Sequence, residues 1–134
     1  MTQTGKKIVS YDPDELMPSS EWLATDEGLR IELVAAYHQR KQTRLPNAQL
    51  HAVIHVVVEN QLALGEKVVV DTLARLQSEG LSRHDAIHAI GSVLAVDLYE
   101  LMKEGAETTD TTYQHYLESL QELTADDWRR QTSR

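Results

Sequence analysis

The segment HAVIHVVVENQL, from His51 to Leu62, decides which fold we expect for this chain. Its β-branched run from Val53 to Val58 would suit a strand on residue preference alone. The apolar segment continues to Gly65, however, and is about twice as long as an ordinary strand. Its second half, ENQLAL, consists largely of good helix formers. We therefore predict a helix that is apolar nearly all round and lies at the centre of a bundle.

The segments on either side also follow helical spacing, with turn and capping signals between them. Thr25 is a candidate cap for a helix that runs to about Arg40, and Ser82 begins a long helix that ends at Gly105. Short turns are expected near Trp22 and after Thr124. The prediction is an all-α, single-domain, up-and-down bundle of about five helices over 20–130, after an irregular lead-in over 1–19.

Length and composition limit the classes of protein that we consider. The chain has 134 residues, which is enough for one domain, and its hydrophobic fraction of 41% is typical of a folded core. A net charge of −8 argues against a nucleic-acid partner, since such proteins must neutralise phosphates. The one basic run, HQRKQTR from His38 to Arg44, is interpreted as the solvated end of a helix. His38 and His115 are accordingly predicted to lie at the surface.

The absence of cysteine excludes disulfides, thiolate metal ligands and cysteine nucleophiles. No stretch has the apolar length of a signal peptide or a membrane span. We therefore expect a cytoplasmic protein that is not associated with a membrane.

Two pairs of histidines carry the functional hypothesis. His51 and His55 are spaced four residues apart on the central helix, and His84 and His88 repeat that spacing further along the chain. Residues at this spacing lie on one face of a helix, so each pair can point at one ion. If the two helices are neighbours, four imidazoles could bind a divalent metal such as Zn, Fe, Mn or Ni. Glu59 continues the stripe as a ligand, a partner that holds a histidine tautomer, or a member of an ion pair.

Other interpretations of these residues stay open. The histidines could be core residues satisfied by hydrogen bonds, although burying four imidazoles without partners is costly. The chain would then be a non-catalytic module that binds a partner or forms a homo-oligomer. The adjacent His84 and Asp85 also allow a phosphohydrolase of the HD type, but capping of the helix start explains Asp85 fully.

Several catalytic motifs are missing. HAVIH lacks the glutamate that follows the first histidine in zinc proteases, and there is no glycine-rich phosphate loop or G-x-S-x-G turn. Any enzymatic activity would be metal-assisted hydrolysis or oxidation. The sequence identifies neither a general base nor a small-molecule substrate.

The blocks LHAVIHVVVENQLALG and RHDAIHAIGSVLA together resemble a family of small bacterial helical proteins whose shared domain has no known function. The resemblance rests on two groups of residues, which cover about the middle third to half of the chain. They are His51, His55, Glu59, Gln61 and Leu62 in the first block, and His84, Asp85, Ala86, His88 and Ala89 in the second. The resemblance implies an all-helical fold and no particular activity.

Overall fold

The computed structural model describes residues 8, 10–15, 17–40, 48–104 and 110–132. These residues form seven helices and no strand, which confirms the all-α prediction. None of the helices in these ranges combines the length and the apolar character needed to cross a bilayer. The helices are α1 (Ser19–Ala24), α2 (Glu27–Arg40), α3 (Ala48–Ala63), α4 (Lys67–Ser78), α5 (Arg83–Glu104), α6 (Asp110–Glu122) and α7 (Ala125–Thr132).

Where the sequence signals fall on residues that the structure describes, the helix boundaries agree with them. The β-branched run lies inside α3, and α3 and α4 end just before Gly65 and Gly80, whose φ angles are +75° and +104°. Glycine adopts this left-handed conformation without steric cost, so it ends a helix well. The two segments predicted as short turns form the helices α1 and α7. The described residues therefore contain seven helices, more than the predicted number of about five. The predicted helix end at Gly105 lies outside the described residues.

The chain divides into two compact units, Met1–Glu66 and Lys67–Arg134. In the first unit, α1 and α2 both pack against α3. Some described residues before the first helix place their side chains in the core. The buried core cluster of this unit consists of Ile8, Tyr11, Trp22, Val34, Tyr37, Ala52 and Val56.

Thr25 fixes the lead-in instead of capping α2 through its hydroxyl. Its Oγ1 accepts a hydrogen bond from the backbone N–H of Ile8 at 3.0 Å and donates to the carbonyl of Glu21 at 2.9 Å. The side chain that accepts a hydrogen bond in the first turn of α2 is Asp26, whose Oδ2 lies 3.1 Å from the N–H of Gly28. The capping prediction was wrong by one residue because both types are good caps, and Thr25 is buried against the lead-in.

In the second unit, α5 packs against α4, α6 and α7, and α4 also packs against α6. Arg75 on α4 donates to the carbonyls of Leu120 at 3.0 Å and Leu123 at 2.6 Å. These carbonyls lie near and just after the end of α6, where helical bonding stops, and that of Leu120 also accepts from the N–H of Leu123 at 3.3 Å. Buried apolar side chains in this unit include Val69, Leu76, Ile87, Ile90, Tyr116 and Leu120.

Candidate metal centre

His38 is buried, so the prediction that it lies at the surface is wrong. Its exposed fraction is 4%, and it shares one stripe of α2 with Val34 and Tyr37, which are also buried. Val34 and His38 are about one helical turn apart. This spacing could have predicted that His38 shares the buried face of α2. The basic residues that follow His38 instead indicated a solvated helix end, which led to the wrong prediction.

Hydrogen bonding determines which nitrogen of His38 carries the proton. Nδ1 of His38 lies 2.9 Å from the carbonyl oxygen of Val34. A carbonyl can only accept a hydrogen bond, so Nδ1 carries the proton and Nε2 of a neutral His38 keeps its lone pair. Nε2 of His51 lies 3.2 Å from that Nε2, and His51 is therefore the donor between the two rings. Nε2 of His38 is chemically suited to be a metal ligand.

The helix α3 places His51 and His55 on one face, as the sequence predicted. Their ring centroids are 5.4 Å apart, and those of His38 and His55 are 5.0 Å apart. His55 is buried, with an exposed fraction of 2%, whereas His51 is half-buried. The first unit thus gathers three imidazoles from α2 and α3.

Behind His55 lie a phenol and a carboxylate, both buried. The hydroxyl of Tyr11 lies 3.1 Å from Nδ1 of His55 and donates a hydrogen bond to Oε2 of Glu59 at 2.5 Å. Of the roles left open for Glu59, this arrangement matches an outer partner that acts on a histidine through another group. Tyr11 was missed because the spacing of the histidines gives no hint of a residue so far away in the sequence.

In the second unit, α5 carries His84 and His88 in its first two turns. Their Nε2 atoms are 3.0 Å apart, and both side chains are half-buried. The ring of Trp128 on α7 lies 6.3 Å from the ring of His88, centroid to centroid. The neighbouring Asp85 is exposed, and its backbone N–H bonds the hydroxyl of Ser82 at 3.0 Å. Ser82 thus caps α5 as predicted, and Asp85 occupies its first turn.

Four described histidines each offer one ring nitrogen that could hold a metal ion, and we call them the group of four: His38 and His55 in the first unit, and His84 and His88 in the second. Three of the four were predicted from the spacing, and His38 was not. His51 and Glu59 are next to members of the group but do not belong to it.

His115 is exposed on α6, as predicted. Its Nδ1 nevertheless lies 3.1 Å from Oδ1 of Asp97, a buried carboxylate on α5. The sequence signal for Asp97 was a single acid within the apolar stretch LAVDL. His115 is thus a histidine with its own partner, and it does not belong to the group of four.

Comparison with known proteins adds no relative. No protein-family model matches the chain, and neither a curated protein nor a solved structure does. The resemblance to the bacterial helical family stays a prediction.

Proposed function

We propose that this protein binds a divalent transition metal through the imidazoles of His38 and His55 in the first unit and of His84 and His88 in the second. The observation that carries the proposal is that each unit holds two of these imidazoles close together. The ring centroids of His38 and His55 are 5.0 Å apart, and the Nε2 atoms of His84 and His88 are 3.0 Å apart. Two of the four side chains are buried and two are half-buried, and imidazole is a common ligand of transition metals.

The distances are close to those of a coordination shell. A bond from Zn to a histidine nitrogen is about 2.0–2.1 Å, which places two nitrogens about 3.3 Å apart in a tetrahedral shell and about 4.2 Å apart at most. The separation of 3.0 Å between Nε2 of His84 and of His88 is near the lower of these values.

The ligand types limit the metal. A set of imidazoles suits Zn, Fe, Ni or Cu, whereas Mg and Ca require oxygen ligands. Mn prefers carboxylates, and Glu59 accepts a hydrogen bond from Tyr11 behind His55. We therefore favour Zn, Fe or Ni among the metals considered.

Elemental analysis of the untagged protein, purified without chelator, tests the proposal. We expect near-stoichiometric metal in the wild type and its loss in the double variant His55→Ala/His88→Ala. The matched control is His115→Gln, which removes a histidine that lies outside the group and should keep the metal. Circular dichroism establishes that each variant is folded. A wild type that contains no metal, and takes up none when Zn, Fe or Ni is added, would overturn the proposal.

A further inference from the structure

The lead-in delivers a buried side chain to one of the proposed ligands. Tyr11 lies 44 residues before His55 in the sequence, and its exposed fraction is 2%. We infer that Tyr11, backed by Glu59, is a positioning residue that fixes the tautomer of His55, so that Nε2 of His55 is the nitrogen offered to the metal. This inference rests on the proposed function and assigns a role to a segment that the sequence marks only as irregular.

The protons in this chain of hydrogen bonds can be assigned in order. The phenol of Tyr11 has one proton, and it donates this proton to Oε2 of Glu59 at 2.5 Å. The phenol oxygen can then only accept at its other contact, which is Nδ1 of His55 at 3.1 Å. Nδ1 must therefore carry the proton, and the lone pair of the neutral ring lies on Nε2.

His38 reaches the same tautomer by a separate route. Its Nδ1 donates to the carbonyl of Val34 at 2.9 Å, which leaves the lone pair on Nε2. A neutral imidazole without such partners populates both tautomers. Two histidines from different helices thus carry acceptors on Nδ1, and an acceptor at the other ring nitrogen is the usual outer partner of a metal-bound histidine.

The position of the Tyr11 hydroxyl is fixed by the surrounding rings. The ring of Tyr11 contacts that of Trp22 at 5.8 Å and that of Tyr37 at 6.1 Å, centroid to centroid. It also meets the ring of His55 edge to face at 5.8 Å. The bond from Ile8 to Thr25 holds the segment in place just before Tyr11. The hydroxyl is therefore held ready before any metal arrives.

Glu59 adds a negative charge behind the contact between Tyr11 and His55. Its exposed fraction is 3%, and its carboxylate accepts the phenol proton of Tyr11. A carboxylate behind a ligand histidine raises the basicity of the ligand, and the phenol relays this effect to His55. The negative charge also offsets part of the positive charge of a divalent ion.

The variant Tyr11→Phe tests the role, because it keeps the ring and removes only the hydroxyl. Long-range ¹H–¹⁵N correlation spectra of the metal-free protein report the tautomer of His55 directly. We expect the Nδ1–H form in the wild type and a mixture of both tautomers in Tyr11→Phe. Competition titrations with zinc should show an affinity lower by about 10- to 100-fold in the variant.

The variant Tyr113→Phe is the matched control. It removes a phenol hydroxyl from an exposed tyrosine of α6, in the second unit, and leaves the lead-in unchanged. We expect it to keep the tautomer of His55 and the wild-type affinity for zinc. An unchanged tautomer and affinity in Tyr11→Phe, or equal losses in both variants, would overturn the positioning role while metal binding by the wild type still supported the proposed function. A wild type that binds no zinc, iron or nickel would overturn both.

Discussion

Asp97 and His115 form a hydrogen bond between a buried carboxylate and an exposed imidazole. Oδ1 of Asp97 lies 3.1 Å from Nδ1 of His115, and the side chains are 10% and 68% exposed, respectively. The other carboxylate oxygen, Oδ2, is buried and has no hydrogen-bond partner in the described part of the chain. The imidazole therefore supplies the one side-chain hydrogen bond of Asp97 found there, and it links α5 to α6.

We predict that His115→Ala lowers the free energy of unfolding by about 1–3 kcal/mol, because it leaves a buried carboxylate without a donor. Urea denaturation monitored by circular dichroism measures the change. Replacing the carboxylate as well, in Asp97→Leu/His115→Ala, should recover part of the loss, since no charge is then buried. The prediction fails if His115→Ala is as stable as the wild type, or if the second substitution adds to the loss.

The N-terminus of α7 makes the stability of the second unit depend on pH. Thr124 and Asp127 bond reciprocally: Oγ1 of Thr124 accepts from the N–H of Asp127 at 3.1 Å, and Oδ2 of Asp127 accepts from the N–H of Thr124 at 3.2 Å. Hydrogen bonding from Thr124, with a smaller contribution from Arg130, lowers the pKa of Asp127 below its ordinary value of 3.8. A lowered pKa in the folded state stabilises the fold above the pKa of the unfolded state, and this stabilisation is lost as the pH falls through the folded value.

We therefore predict that Asp127→Asn is less stable than the wild type at neutral pH, and that the difference shrinks at about pH 3. Urea denaturation at the two pH values tests this. The control is Asp126→Asn, which removes a charge from the same helical turn, where Asp126 bonds Arg129. The hydrogen bonds with Thr124 remain in this control. Identical pH dependence in the two variants would contradict the assignment to the Thr124–Asp127 pair.

The sequence was sufficient for the helices because local signals determine them. Helix formers after the β-branched run identified α3, and glycines at positive φ marked where α3 and α4 end. The sequence predicted a helix start at Ser82 and a short turn after Thr124, and the hydroxyls of both residues accept hydrogen bonds where α5 and α7 begin. Each signal acts within a few residues, so it can be read without knowing the tertiary structure.

The candidate site was only partly predictable, because its outer members come from distant parts of the sequence. Spacing identified His55, His84 and His88, but His38 belongs to the group through the burial of its helix face. Tyr11 reaches His55 only because the lead-in folds back onto α3. Periodicity detects residues on one helix, and it contains no information about which other segment supplies a hydrogen-bond acceptor.

His38 and His51 give the last prediction, because sequence and structure assign them opposite roles. The spacing alone makes His51 a ligand and His38 a surface residue, whereas His38 is the one that belongs to the group of four. Nε2 of His51 donates to Nε2 of His38 at 3.2 Å. A metal that takes the lone pair of His38 must break this hydrogen bond, so His51 competes with the ion.

We predict that His38→Ala loses the metal and that His51→Ala keeps it, with an affinity at least as high as that of the wild type. Zinc titration of both variants, against a chelating dye, measures this, and circular dichroism verifies that each is folded. The comparison is matched, since both substitutions remove one imidazole from the same contact. Loss of zinc from His51→Ala and its retention by His38→Ala would instead favour the ligand set read from the spacing, and would show that the ion binds on the His51 side of the cluster.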